Sequence, residues 1–240
     1  TDEGDPTEAL AELEAYSLIT RAAERPEFSV HRLVQAVTRH ELQGDGVSER
    51  LVEALGWVAK AFVGDSADVR SWPVLDPLAP HARAVAGFAD EAGVAEPTAS
   101  LFSQLGTLLL SKATYTEAEP LLRRAQTIDE MNFGQGHPMV AIRLNNLAQL
   151  LKTTNRLEEA EVLMRRALVH AEVKGDEKGP TLAVRLNNLA TLLFETKRFP
   201  EAEALMRRTL AIDETIHGPD HERVAVGLNN LAQILVATSR

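Results

Sequence analysis

The sequence predicts an all-α superhelical solenoid of helical hairpins, preceded by a short segment with a β-hairpin. Three observations carry this reading. The string Leu-Asn-Asn-Leu-Ala recurs at 144–148, 186–190 and 228–232, a strict period of 42 residues. A period of that length marks stacked units whose apolar faces are buried only by their neighbours. Within each period apolar and small residues fall at i, i+3, i+4 and i+7 in a first helix and at i, i+3, i+7 and i+10 in a second, one stripe for each. Finally, the charge is uneven: residues 1–98 carry 18 acids against 8 bases, and residues 99–240 carry 17 of each, so all of the net −10 lies before the repeats.

The N-terminal part reads in order as follows. Residues 6–16 form a helix with Leu10 and Leu13 inward, 17–20 and 27–30 form two short strands around Arg25-Pro26, and 33–42 form a helix. Two connecting helices are expected at 48–63 and 72–92, broken by Gly64-Asp65 and Trp72-Pro73. Trp57, Phe62 and Phe88 are expected to pack between the N-terminal segment and the first repeat. The domains expected are therefore 1–45, a helical spacer 46–96, and repeats over 97–240, three complete with the first helix of a fourth.

In each repeat the first helix, A, carries Leu144, Leu147, Ala148 and Leu151, or Leu186, Leu189, Ala190 and Leu193. One period earlier stand Phe102, Leu105, Gly106 and Leu109; one period later, Leu228, Leu231, Ala232 and Leu235. Helix B carries Tyr115, Ala118, Leu122 and Ala125, then Leu157, Ala160, Met164 and Ala167, then Phe199, Ala202, Met206 and Thr209. The small residues at 106, 148 and 190, and at 118, 160 and 202, predict a close antiparallel approach of A and B. Gly134 and Gly218 are expected to end helix B in a left-handed cap, and Pro138 to start the next helix A. The middle copy of this turn, 175–180, has its first glycine one place early and no His.

These residues resemble the tetratricopeptide family, specifically the long variety found in kinesin light chains and in many bacterial signalling proteins. The ordinary repeat has about 34 residues, so the extra ones lengthen the helices and the connection. The resemblance implies that helix A lines a concave groove whose polar side chains grip an extended or helical peptide.

Candidate groove residues follow. The pairs Asn145/Asn146, Asn187/Asn188 and Asn229/Asn230 lie off the buried stripe, and Asn is a poor interior helix former. Each amide has a donor and an acceptor, so a row of them could pair with a ligand backbone. Gln149, Thr191 and Gln233 extend the strip, with Lys152 and Phe194 one turn beyond. The competing reading is that one Asn of each pair bonds the neighbouring repeat's backbone and locks the stacking. Ligand-specific contacts are expected from Ile142, Lys152, Val184, Phe194 and Val226, which differ between copies. The doubled arginines Arg123-Arg124, Arg165-Arg166 and Arg207-Arg208 are expected to pair with Glu119, Glu161 and Glu203, four residues before the first Arg, on a solvated face. The alternative is an acidic or phosphate-bearing partner.

The stretch Tyr16-Ser-Leu-Ile19, then Phe28-Ser-Val-His-Arg-Leu-Val-Gln35, resembles the back half of the winged helix that follows the nucleotide-binding core in STAND (NB-ARC) signalling ATPases. In that family a Met-His-Asp motif sets its His against the β-phosphate of ADP. Only His31 of Val30-His31-Arg32 matches it, as a nucleotide sensor or simply as a helix cap. ADP or ATP is thus implied only for a domain upstream of Thr1. No Gly-x-x-x-x-Gly-Lys-Ser/Thr loop occurs, so no cofactor is expected in this chain itself. The chain starts without Met and stops one helix into a repeat, so it is expected to be a piece of a longer protein.

Composition excludes several functions. With no Cys there is no disulfide framework, thiolate nucleophile or Cys-based metal site. No apolar run approaches the ~18 residues of a membrane span, so a cytoplasmic protein is expected. The acidic balance argues against nucleic acid. His137 and His221 stand 84 residues apart, and His31, His40 and His81 show no ligand spacing, so neither a metal nor catalysis is expected. The function expected is a protein-interaction or sensor module that regulates a nucleotide-dependent ATPase. The alternatives are a freestanding peptide-binding adaptor and a winged-helix transcription regulator.

Overall fold

Each repeat folds into a hairpin because both of its ends carry their own stop signals. A computed structural model describes residues 19–21, 28–30, 49–173 and 179–238. The chain divides into two compact units, Thr1–Val52 and Glu53–Arg240. In the first, strands β1 (Ile19–Arg21) and β2 (Phe28–Val30) pair antiparallel, Ile19 opposite Val30 and Arg21 opposite Phe28. The helices expected at 6–16 and 33–42, and with them the winged-helix outline and His31, lie outside the described residues.

Helix α1 (Glu49–Ala61) and helix α2 (Trp72–Glu91) occupy the spacer. The hairpins are α3 (Thr98–Ser111) with α4 (Tyr115–Phe133), α5 (Pro138–Thr153) with α6 (Leu157–Val173), and α7 (Pro180–Glu195) with α8 (Phe199–His217). Helix α9 (Glu222–Ala237) repeats α7. Packing runs from each helix to the next in sequence, from α2 through α9, which is the one-dimensional contact pattern of a solenoid.

The A-to-B turn is a Schellman motif in all three hairpins. Thr114 N–H donates to Leu109 and Ala113 N–H to Leu110; the pattern recurs at Arg156 with Asn155 and at Arg198 with Lys197. The motif needs a left-handed residue, and Ala113, Asn155 and Lys197 supply it at φ of 59°, 61° and 61°. None is glycine. The B-to-A turns differ from expectation: Gly134 and Gly218 have φ of 76° and 84° but ψ of 161° and 163°, an extended region open essentially to glycine alone, not a left-handed helical cap. Helix A then starts at a histidine cap, with Met139 N–H donating to His137 Nδ1 and Arg223 N–H to His221 Nδ1. Each cap ring stacks at 4.4 Å on the end of the preceding helix, His137 on Phe133 and His221 on His217. The middle turn lies largely outside the described residues.

The predicted stripes form the core. Leu144, Leu147, Ala148 and Leu151, and their counterparts in α7, are wholly buried, as are Ala118, Ala160 and Ala202 on the facing helices. Leu228 of α9 is 49% exposed, since no described helix covers the face that α6 and α8 supply to α5 and α7. In the spacer Phe62 is buried, whereas Trp57 is 70% exposed and Phe88 is exposed too; the N-terminal side of the packing expected for them lies outside the described residues. Helix α2 behaves as the B helix of a preceding repeat. It packs on α3 and reaches α4 through Arg83–Glu117 and Arg124–Asp90 ion pairs at 2.8 and 2.6 Å.

Candidate functional site

The strip of polar residues on the A helices is half-buried on α5 and α7, exposed at Asn229 and Gln233 of α9, and tied from repeat to repeat by side-chain amides. Asn188 Nδ2 donates to Asn145 Oδ1 at 2.9 Å, and Asn230 Nδ2 donates to Asn187 Oδ1 at 3.2 Å. At the first junction Ser103 replaces an Asn, and Asn146 Nδ2 donates to its Oγ at 3.1 Å. The second Asn of each pair therefore reaches back to the first Asn of the repeat before it. This is stacking through side chains, where the sequence suggested the neighbour's backbone.

The remaining strip residues divide by what they touch. Lys152 makes an ion pair with Glu195 of the next repeat at 2.9 Å, and Phe194 packs at 5.7 Å on Phe199 of its own hairpin. Thr191 Oγ1 donates to the Asn187 carbonyl within α7. Gln149, Asn229 and Gln233 carry no side-chain hydrogen bond among the described residues. The ladder uses only the acceptors of Asn145 and Asn187, and no hydrogen bond from their Nδ2 donors is seen among the described residues. Beside the strip, between α7, α8 and α9, opens a cavity of about 350 Å³ walled by Asn187, Val184 and Val226, the last two among the residues expected to make ligand-specific contacts.

The B helices carry an ionic lattice. The first arginine of each pair binds within its helix, Arg123 to Glu119, Arg165 to Glu161 and Arg207 to Glu203, at 2.7, 2.8 and 2.9 Å. The second reaches back one repeat, Arg124 to Asp90 and Arg166 to Glu130. Arg156 and Arg198 each bridge two acids, one on the preceding B helix. Burial pushes the carboxyls of Glu119 and Glu161 up, but their paired guanidinium groups outweigh it and hold both below the usual range. This face is occupied by internal pairs rather than left open to a phosphate. Among the described residues no three His, Asp or Glu side chains are grouped to hold a metal ion.

The tetratricopeptide repeat family model matches residues 97–172 and 181–240, more than half of the chain. The chain belongs to the tetratricopeptide repeat family. Such repeats imply protein–protein interaction and form a fold typical of non-enzymatic scaffolds. Solved tetratricopeptide structures share the architecture. Nearly identical TPR-like repeats assigned to a kinesin light chain of Podospora anserina superpose with a TM-score of 0.63 at 15% identity, covering 79% of this chain and 87% of that one. BtubC (BKLC) from P. vanneervenii superposes with a TM-score of 0.59 at 21% identity, covering 79% and 82%. A nucleotide-binding leucine-rich repeat (NLR)-like protein of Hyaloscypha variabilis is 30% identical over 136 residues, 56% of this chain and 14% of that protein's length. A further model, described as a domain of unknown function (DUF7779), matches residues 1–47. No described helix of the tetratricopeptide chain is long and apolar enough to cross a membrane.

Sequence reasoning missed one buried contact between the tetratricopeptide repeats. Arg143 Nε donates to Asp129 Oδ2 at 2.7 Å, with both side chains buried. An Arg directly before the Leu of the repeated motif, at both 143 and 185, was the available signal.

Proposed function

We propose that the chain is the partner-binding arm of a nucleotide-dependent signalling ATPase. In this reading the strip on the A helices takes a peptide or protein segment in the concave face that this family presents. The carrying observation is the row of amides that internal bonding leaves partly unused: the half-buried donors of Asn145 and Asn187, the half-buried Gln149, and the exposed side chains of Asn229 and Gln233. An amide row of this kind pairs with main-chain groups whatever the ligand's side chains, so affinity comes from length and selectivity from positions that differ between copies, Ile142 against Val184 and Lys152 against Phe194.

The link to an ATPase is supported by the 30% identity over 136 residues to an NLR-like protein. In this reading residues 1–45 would be the remnant of a winged helix, followed by a helical spacer over 46–96 and the repeats over 97–240. A partner bound on the repeats would then shift a closed-to-open equilibrium upstream by its differential affinity for the two states. His31 would sense the nucleotide held there.

The test is a photo-crosslinking residue placed at Gln149, with a second chain carrying it at Val162, an exposed position on helix B. Expressed in source cells, the Gln149 chain should trap a discrete partner that the Val162 chain does not. Equal labelling from both positions, or none from Gln149, defeats the reading.

A further inference from the structure

The junctions where helix B of one repeat meets helix A of the next are not chemically equal. At the first, Arg143 is 5% exposed; its Nε donates to Asp129 Oδ2 at 2.7 Å, and its Nη2 to Ser100 Oγ at 3.0 Å and Glu96 Oε1 at 3.5 Å. Two repeats later each number rises by 84, so Asp129 becomes Asp213, Ser100 becomes Val184 and Arg143 becomes Gly227. The acid is kept and its base is gone. The middle junction has Ala171 and Arg185 at these positions.

What replaces the arginine is space. Asp213, Val184 and Gly227 all wall the cavity of about 350 Å³ between α7, α8 and α9. Asp213 is 5% exposed, its Oδ1 is shut off from solvent, and no hydrogen bond or ion pair reaches its carboxylate among the described residues. Glycine at 227 is not demanded by the backbone, which has no positive φ there. A Cβ at that place would lie 3.3 Å from Leu210 Cδ1, a contact that a flexible leucine can ease. Absence of the side chain is therefore what opens the cavity.

A carboxylate removed from water is stable only with a counter-charge and hydrogen bonds to its oxygens. We propose that the cavity receives the guanidinium group of an arginine on the bound partner, in the position that Arg143 fills internally at the first junction. At the first junction Arg143 gives Nε to Asp129 Oδ2 and Nη2 to Ser100 Oγ, leaving Asp129 Oδ1 unbonded as Asp213 Oδ1 is, and this spread of fixed donors is what a lysine ammonium lacks. Val184 and Val226 offer apolar wall for the arginine's methylene stem, and Glu222 adds negative charge to the lining. A hard divalent ion would want six or more oxygen ligands, and one unpaired buried carboxylate does not provide them. Arg223 also lines the cavity, one turn before Gly227, yet it makes no ion pair with Asp213. The proposal rests on the partner-binding reading of the strip, which meets the cavity at Asn187.

The experiment titrates N-acetylarginine amide into the full chain, follows it by amide NMR shifts, and uses the uncharged isostere N-acetylcitrulline amide as control. Shifts should concentrate at residues 183–187, 209–213 and 223–227, with a dissociation constant of about 1 mM for so small a ligand. Citrulline should bind roughly tenfold more weakly or worse. Asp213→Asn should abolish the shifts, and so should Gly227→Arg, which supplies the guanidinium from within. Arginine affinity unchanged in Asp213→Asn, equal binding of citrulline, or silence of the wild-type chain overturns the proposal. Binding seen only after Arg223→Ala overturns it as well, because the chain would then furnish its own cation. A silent probe beside intact crosslinking at Gln149 sinks the arginine cavity alone; an intact probe beside silent crosslinking sinks the strip reading alone.

Discussion

Gly106 lies against Leu122 so closely that a Cβ on the glycine would stand 2.6 Å from the leucine Cγ. One and two repeats later the pair is Ala148 with Met164 and Ala190 with Met206, all buried. The two positions vary together: branched leucine demands a glycine opposite, whereas unbranched methionine bends around an alanine methyl. Gly106→Ala should therefore lose about 1–3 kcal/mol by overpacking. Adding Leu122→Met should restore most of it. Urea denaturation of the two single variants and the double variant measures this, and additive losses would show that the pairing has no bearing on size.

The Schellman turns predict a gain. Ala113 and Lys197 hold the left-handed conformation at φ of 59° and 61°, which crowds their Cβ against the following carbonyl. Ala113→Gly and Lys197→Gly should each raise stability by about 1 kcal/mol, and Asn155→Gly by much less, because asparagine tolerates this region. Thermal unfolding of the three variants checks the ranking.

Why some of this was legible from the chain and some was not depends on the range of the interaction. Helix signals and the breaks between helices are local, so helices expected at 48–63 and 72–92 are found at Glu49–Ala61 and Trp72–Glu91. Intrahelical pairs such as Arg123–Glu119 follow from spacing alone. The amide ladder joins residues 43 apart, one period plus one, and that offset becomes readable only when the stacking register is known. Asp129–Arg143 is missed for the same reason, together with the habit of assigning charges to the surface.

The Asn145–Asn188 bond should be measurable as a coupling. Asn145→Ala removes the acceptor and strands the Asn188 donor in a half-buried place, whereas Asn145→Ala with Asn188→Ala removes both. A double-mutant cycle should give a coupling of about 0.5–1.5 kcal/mol. A coupling of zero would mean that water satisfies both amides and that the ladder contributes nothing to stacking.

The ionic lattice fixes the direction of the acid response. Glu119 and Glu161 titrate below an unfolded glutamate, so between the two pKa values the unfolded chain binds more protons. Their stabilisation is complete above the unfolded value of about 4.3 and is lost as pH falls through the depressed folded values. Glu96 runs the other way, pushed up chiefly by burial, and takes stability away as pH rises through its range. Glu119→Gln with Glu161→Gln should lower the urea midpoint at about pH 6 and leave it nearly unchanged at about pH 2, flattening the slope between them. An unaltered slope would show that these exposed-edge pairs are screened to nothing.

Arg143 and Asp213 test the same physics from opposite sides. Arg143→Met leaves Asp129 buried without its cation and should cost about 3–5 kcal/mol, most of it recovered when Asp129→Leu removes the stranded charge. Asp213 already stands in that stranded condition, so Asp213→Leu should stabilise the chain by roughly 1–4 kcal/mol at neutral pH. A gain of that sign means that the acid is kept against the interest of folding, which is the mark of a residue held for a ligand. A loss would mean that Asp213 already finds its counter-charge inside the folded chain, and the same denaturation curves would then rank Arg223→Ala beside it as the missing half of the pair.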